Sequence, residues 1–598
     1  MSNAETKPGA TPRGHGGGRM ARKFGFAGNA LVGAILLVVI LATVNWFARQ
    51  SQMRFDLTSN RQYTLSEATE RVLEGLKDIV TVNVYGTRKD TPPDWTRQRE
   101  ELMALLSEYR RLSNGRLNFT LKDPASDPKI EQEARNARIE EQVMQDVSVQ
   151  EIRAKAGYLG FTVQYRGKTE TVGALAPNSP IEYQLTTAIN KMAAVNPPII
   201  GTIVPQGNPF MGQPSMFSLI ARVLEQEGFS VRSLQPDKLA DLNKPNTDIK
   251  MLIVIEPEEL SEEALFRIDQ FVMNGGKLFI AAQGVRLEGG NGRVPRAVAQ
   301  APNIVSILEH YGVTLNQDIV EDWGRGTEQQ MLTSRGIIQT INPFIMRVSD
   351  LGPSSVDVEK IDQRTTPSVR NRRNMPTADT GSPITNRLMP LGFVFTSSVG
   401  LSDQGTSGVI EVLARSSSRS RSQEGFFNLD QARIRPPRGA EEMAKLGKRD
   451  LIVSVRATDQ ARLRSRFAVV DPPALTKDDG TTEAVTTSQV RTESAPSAQV
   501  IVVSAVMPFM DDIVQQASQN LVFILNMADV LLRDGSTVEL RNKQQVFAQL
   551  RPDITEREIT LAHLLVIGGV PVGLMILGLL RLFWNRMVRS RHRQLYGS

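Results

Sequence analysis

Between Gly25 and Ala48 the chain reads GFAGNALVGAILLVVILATVNWFA, with no Asp, Glu, Lys or Arg. A helix rises about 1.5 Å per residue, so a run of this length reaches across a hydrocarbon core of about 30 Å. Arg22 and Lys23 precede it and Arg49 follows it. A secretory signal peptide would have a shorter apolar core ending in a small-residue cleavage site. Here Trp46-Phe47-Ala48-Arg49-Gln50 makes a poor one. The expectation is an uncleaved transmembrane helix over 24–48, after a tail over 1–22 too poor in apolar residues to fold.

A second charge-free run, Thr560 to Leu580, predicts a span over 559–580, with His563 near one end and Pro571 inside. Proline is tolerated in a span where neighbours satisfy the freed carbonyl. Arg581, Arg586, Arg589, Arg591 and Arg593 follow it in a basic tail over 581–598. Such a cluster is a topology signal and a contact for anionic lipid headgroups. With Arg13, Arg22 and Lys23 at the other end, both termini are expected on the cytoplasmic side. In a bacterial inner membrane the bulk of the chain would then be periplasmic. Gly25, Ala27, Gly28, Ala30, Gly33 and Ala34 in the first span, and Gly568, Gly569, Gly573 and Gly578 in the second, are candidates for close helix packing, because small residues let membrane helices approach.

The 598 residues are 40% apolar and 22% charged, which suits a globular body between two spans and not a polytopic membrane protein. Cysteine is absent, excluding disulfides, thiolate metal sites and cysteine nucleophiles. The four histidines are His15, His310, His563 and His592. Only His310 falls in the body, which argues against a histidine metal site or a Ser-His-Asp triad there. The net charge of +6 comes largely from the terminal arginines, and no nucleic-acid motif accompanies them.

In chain order, Thr64 and Glu67 have capping-box spacing and predict a helix from Leu65. Val80–Tyr85 and Arg116–Lys122 read as strands flanking a helix over Trp95–Leu112. Residues 129–155 are charged and helix-prone. Tyr158–Val172 reads as a hairpin turning at Arg166-Gly167, and Ile181–Val195 as a helix. Gly167-Lys168-Thr169 fails as a phosphate loop. Thr162 stands where the first glycine belongs, and a hairpin does not open a helix.

After Asn196-Pro197-Pro198, strands at Ile199–Val204, Ser230–Leu234, Ile249–Ile255 and Lys277–Ala282 alternate with helices at Met216–Glu227, Glu262–Met273 and Asn303–Tyr311. Asn274-Gly275-Gly276 is a helix stop. This order implies a mostly parallel sheet with covered faces. Its ligand edge would be the loop Pro205-Gln206-Gly207-Asn208, although that loop carries no nucleophile. Beyond residue 285 the pattern is interrupted by Arg286–Pro302, Ser354–Ser382, the RSSSRSRS run of 415–422 and Pro472–Ser497, all read as surface loops. Strands resume at Gly392–Thr396, Gly408–Ala414, Leu451–Arg456 and Gln499–Val506, and a helix is expected over Asp512–Leu532.

The expected fold is therefore α/β. A small thioredoxin-like domain over 54–196 precedes a larger, mostly parallel-sheet domain over 197–535. The larger domain has β-rich insertions and disordered loops at 354–382, 415–448 and 472–498. A juxtamembrane segment over 536–558 leads to the second span. Both domains are expected to be extracytoplasmic.

Several motifs carry a family resemblance. They are Asp56-Leu-Thr, Arg61 and Tyr63-Thr-Leu-Ser66 followed by Val80–Tyr85; Leu260-Ser261-Glu-Glu263 with Phe271 and Gly275-Gly276-Lys277; Tyr311-Gly312-Val313 with Asp318-Ile-Val-Glu-Asp322; and Asn526, Leu531-Leu532, Arg541 and Lys543 before the last span. In this order they resemble the GldG-like, gliding-motility-type auxiliary subunits of ABC transporters. The resemblance implies a non-enzymatic subunit without cofactor or metal, which joins separate permease and ATPase chains and faces an envelope substrate. The chain departs from the family at Pro205-Gln206-Gly207-Asn208, where Gly-His-Gly-Glu is frequent, and at Gln283-Gly284, where Asp-Pro is. Two other readings stay open on the residues alone. One is a tethered envelope binding protein without an ABC partner; the other is an envelope hydrolase using Glu256, Glu258 and Glu259.

Overall fold

The computed structural model describes residues 65–543 apart from short breaks and the segment 352–381, together with Thr43, Gly578, Arg581 and Trp584. The chain divides into two units, Met1–Thr64 and Leu65–Ser598, and every sheet described belongs to the second. The expected spans fall outside the described residues but for Thr43 and Gly578, both helical and exposed. Among the described residues no helix is long and apolar enough to cross a membrane.

The first part of the body comprises α1 (Glu67–Glu74), β1 (Val80–Gly86), α2 (Pro93–Leu112), β2 (Leu117–Lys122), α3 (Pro128–Asn136), β3 (Glu141–Val147), β4 (Ile152–Tyr165), β5 (Lys168–Val172) and α4 (Ile181–Ala193). β1 runs parallel to β2, and the second half of β4 lies antiparallel between β1 and β5. The first half of β4 pairs with β3 instead. The hairpin turns where expected: Arg166 and Gly167 have φ of 49° and 76°, the double positive pair that a tight two-residue turn requires. Leu102, Leu106 and Tyr109 of α2 and Leu185 and Ile189 of α4 close on Val80, Val82, Val84, Phe161 and Val163 as one apolar core.

The second part begins with β6 (Ile199–Ile203), α5 (Ser218–Gln226), β7 (Ser230–Ser233), β8 (Ile249–Ile255), α6 (Glu262–Met273) and β9 (Lys277–Ala281). There follow β10 (Val285–Glu288), β11 (Arg296–Ala299), α7 (Val305–His310), β12 (Val313–Leu315), β13 (Asp318–Asp322), β14 (Gly326–Thr333), β15 (Gly336–Val348), β16 (Leu391–Val394), β17 (Val399–Leu401), β18 (Val409–Arg415) and β19 (Ser420–Glu424). It closes with α8 (Gly439–Ala444), β20 (Asp450–Arg456), β21 (Leu475–Thr476), β22 (Thr482–Glu483), β23 (Gln499–Val503), α9 (Asp511–Gln516), α10 (Gln519–Leu532) and α11 (Ser536–Lys543).

Seven of these strands form the central sheet in the order β18-β20-β23-β9-β8-β6-β7. The β23-β9-β8-β6-β7 run is parallel, and β18 and β20 add an antiparallel flank. Both faces are covered, which is why β8 reads as an almost unbroken apolar run. Leu252 and Val254 point into a core with α6 and α7. Met251, Ile253 and Ile255 point into another with α5 and α10. The helix stop after α6 forms as expected: Gly275 takes φ of 95°, and the Gly276 N–H donates to Phe271 O at 3.0 Å.

The structure corrects five local expectations. Helix α1 starts at Glu67 and not Leu65, because Ser66 is its cap and accepts from the Thr69 N–H. The helix-prone stretch 129–155 is helical only to Asn136, since β4 draws residues 141–147 into its ladder as β3. The RSSSRSRS run is not a disordered loop: it ends β18 and opens β19, which pairs with β13 and buries Ser416, Ser417 and Ser420. The described residues of 472–498 include β21, β22 and a short 3-10 turn. The helix expected over Asp512–Leu532 breaks at Ala517, whose φ of −122° and ψ of 64° are not helical.

Candidate functional site

In an open parallel sheet, ligands bind beyond the carboxyl ends of strands where the strand order reverses. Here that is between β6 and β8, and the α5 N-terminus that follows β6 is capped by the chain itself. The Asp511 carboxylate accepts from the Ser218 Oγ at 2.6 Å, the Ser218 N–H at 3.2 Å and the Leu219 N–H at 2.9 Å. An internal anion therefore sits on the α5 N-terminus, where an anionic ligand would bind. At the end of β9, Gln283 Nε2 donates to Phe395 O and the Gly284 N–H donates to Ser397 Oγ at 3.0 Å, drawing the 395–398 segment over the strand.

Of the glutamates considered for hydrolysis, Glu256 and Glu259 are exposed and Glu258 lies outside the described residues. Glu256 has φ of 46°, held by its N–H donating to Ala281 O at 2.9 Å. Among the described residues no group of three or more His, Cys, Asp or Glu is placed to hold a metal ion.

Polar side chains converge elsewhere, at the corner where the folded body begins and ends. α11, the last described helix before the basic C-terminal region, packs against both α1 and α4, and α1 packs against α4. At the beginning of the body, Glu182 of α4 accepts from the Ser66 N–H at 2.8 Å and from Thr69 Oγ1 at 2.9 Å. In a capping box, a side chain of the same helix would satisfy the N-cap N–H. Here α4 supplies the carboxylate, so the start of α1 is fixed by a residue more than a hundred positions away. Thr186 Oγ1 lies 3.0 Å from Thr69 Oγ1 and 2.6 Å from the Tyr109 hydroxyl. Burial first, and the Glu182 charge second, push the Tyr109 hydroxyl far above its ordinary pKa, so it stays protonated.

At the end of the body, Arg541 of α11 is buried. Its guanidinium donates to Asp529 Oδ2 at 2.5 Å, Asn526 Oδ1 at 2.7 Å and the Tyr183 hydroxyl at 2.9 Å, and lies 3.5 Å from Glu227 Oε2. Tyr183 in turn donates to Glu227 Oε2. Arg533 donates to Glu227 O at 3.0 Å and Gly228 O at 2.7 Å, and stacks 3.7 Å from the Phe229 ring centroid. It also lies 3.4 Å from Asp529 Oδ1.

Two arginines therefore meet two carboxylates, so the buried charges balance. Burial opposes the charge on Arg541, but Asp529, Tyr183 and Glu227 outweigh it and hold its pKa above the ordinary arginine value. At Arg533 burial wins and lowers the pKa. The network ties α11 to α4 of the first sheet and to the α5–β7 turn and α10 of the second.

The small residues proposed for membrane packing, Gly25, Gly28, Gly33, Gly568, Gly569 and Gly573, lie outside the described residues, as do Arg586, Arg589, Arg591 and Arg593. Arg581 is helical and exposed. Sequence reading named Asn526 and Arg541 but missed Tyr183, Glu182, Glu227, Asp529 and Arg533. One signal was available: Asn526 and Asp529 interrupt the apolar face of α10 three residues apart, on one side of the helix.

A family profile described as ABC-type uncharacterized transport system, the ABC transport auxiliary family, matches residues 197–527. A domain of unknown function, DUF7088, matches residues 59–164. An uncharacterized protein of Borreliella burgdorferi is 21% identical over 296 residues, covering 49% of this chain and 55% of the relative. The chain thus spans about half the length of the curated relative it matches. A solved structure, the mmIFT52 N-terminal domain, aligns with 56% of this chain and 96% of its own at 12% identity and a TM-score of 0.29.

Proposed function

We propose, from the premise that this chain belongs to the ABC-type uncharacterized transport system auxiliary family, that it is a non-catalytic, membrane-anchored auxiliary subunit coupled to separate permease and ATPase chains. On this reading Gly25–Ala48 and Thr560–Leu580 span a bacterial inner membrane, both termini are cytoplasmic, and the α/β body faces the envelope and its substrate. The strand order β2-β1-β4-β5, with β4 antiparallel, supports a thioredoxin-like first domain. The quoted motifs resemble the gliding-motility-type branch of the family.

The observation that carries the proposal is the convergence of α1 and α11 on α4. The first and last helices of the described body, α1 and α11, meet at one corner, and a span is expected in the sequence before the one and after the other. ATP-driven movement of a permease would then act on the body through Arg541 and Glu182. A ligand or motion shifts an equilibrium only through contacts that differ between two states, and on this reading the buried charge network would supply them. Asp511 already holds the α5 N-terminus, which favours this reading over an anion-capturing site there.

Purification of the full-length chain in mild detergent tests the proposal. Co-elution of an ABC permease and ATPase supports it, and their absence after crosslinking in intact cells refutes it. A periplasm-active reporter that is active when fused after Ser598 refutes the two-span topology.

A further inference from the structure

Between β20 and β23 the chain leaves the central sheet, and the described residues of 457–498, here called the strap, include 465–467, 476 and 491, which lie against α6. Every residue of α6 from Ala264 to Met273 is buried, its polar Arg267, Asp269 and Gln270 included. A helix on one face of a sheet ordinarily keeps a polar stripe in water; here this strap covers it.

The contacts are largely polar. Arg466 meets Glu262 at 3.0 Å, and Arg267 donates to Glu263 at 2.7 Å and to Thr476 O at 2.9 Å. Gln270 exchanges two hydrogen bonds with the Arg491 backbone. Phe467 packs edge-on against Phe266 at 5.0 Å. At the centre lies the Asp269 carboxylate, which accepts from Ser465 Oγ of the strap at 2.6 Å, the Tyr311 hydroxyl at 2.8 Å and Gln270 Nε2 at 3.0 Å.

Among the described residues no ion pair includes Asp269. The charged groups around it are engaged elsewhere. On α6, Glu263 and Arg267 pair with each other. On the strap, Arg466 turns to Glu262, and Arg491 donates to Asn274 Oδ1 and Glu493 O. On α7, Glu309 accepts from Thr314 and the His310 ring contacts Ser306 O of its own helix. A buried carboxylate with donors but no cation is ionised at a cost.

We propose that the strap 457–498 is a pH-responsive cover of α6, loosening as Asp269 loses its proton and tightening as it regains it. Burial, opposed by the hydrogen bonds from Ser465, Tyr311, Gln270 and the Arg466 backbone N–H, raises the Asp269 pKa from 3.8 to about 6. The sign follows. The closed form holds the proton more tightly than the open form, so closure is favoured at low pH and loses that advantage as pH rises through the window between the two values. Glu263, held below its ordinary value by Arg267 and Thr476 against burial, acts oppositely, but only at pH below its ordinary value of 4.5. Release bares the polar face of α6.

Amide hydrogen exchange of the full-length chain, corrected for intrinsic rates, tests the strap against β8 and β9 as internal reference. Between about pH 5 and pH 7 the opening constant of strap amides at Ser465, Phe467 and Arg491 is expected to rise about tenfold relative to the sheet. Tyr311→Phe removes a donor to the carboxylate, so it steepens this response and extends it above pH 7. Asp269→Asn flattens it, and His310→Gln leaves it unchanged. Strap opening that is independent of pH, or a Tyr311→Phe chain whose strap opens more by the same factor at every pH, overturns the proposal.

Discussion

Arg541 Nη2 and Asp529 Oδ2 stand 2.5 Å apart, on side chains only 5% and 1% exposed. Removing Arg541 leaves Asp529 and Glu227 with Arg533 as the one arginine of this network, so the buried charges no longer balance. Arg541→Met is therefore expected to destabilise the body by about 3–5 kcal/mol. The double variant Arg541→Met/Asp529→Leu should cost less than the sum of the two single changes. Urea denaturation of the three variants checks this.

Glu182 fixes the first turn of α1 from α4. Glu182→Ala leaves the Ser66 N–H and the Thr69 hydroxyl without that acceptor, at about 1–3 kcal/mol for each donor that stays buried. Glu182→Gln keeps an acceptor oxygen and should lose less. Amide exchange over residues 66–74 should rise before exchange in β1 does.

Asp511 caps α5 across the chain. Asp511→Ala should cost about 0.5–2 kcal/mol, and Asp511→Asn less, since asparagine also caps. The amides of Ser218 and Leu219 should lose protection in the alanine variant alone.

Gly275 sits at φ of 95° with Ser497 Oγ against the position of an added Cβ. Gly275→Ala should destabilise by more than about 1 kcal/mol, because alanine does not share glycine's ease in that conformation and the strap would have to move. The same change at Gly115, also at positive φ but with open space around it, should cost less. Thermal melts of the two variants decide.

Local pattern carried the parallel core. β6, β8 and β9 are largely apolar on both faces, Ser261 caps the start of α6 and Gly275 follows its end, and Arg166-Gly167 marks a turn; each signal lies within a few residues of the element it specifies. β13 was not legible in this way. Its Asp318, Glu321 and Asp322 are poor strand residues, and they are buried only because distant donors reach them. Ser398 and Ser422 bond to Asp318, Arg421 and Gln423 to Glu321, and Ser417 to Asp322. A run rich in arginine and serine reads as solvated until its partner carboxylates are in place.

Periodicity, turn chemistry and capping act over short separations, so the α/β alternation, the hairpin at Arg166-Gly167, the helix stop at Gly275 and the family motifs are written in the chain locally. Long-range packing sets the rest: Glu182 completes the cap of α1, Asp511 occupies the α5 N-terminus, and Arg541 joins Asp529, Tyr183 and Glu227. Those contacts fix which buried charge meets which. A partner for a buried charge is chosen by proximity in space, which no local pattern encodes.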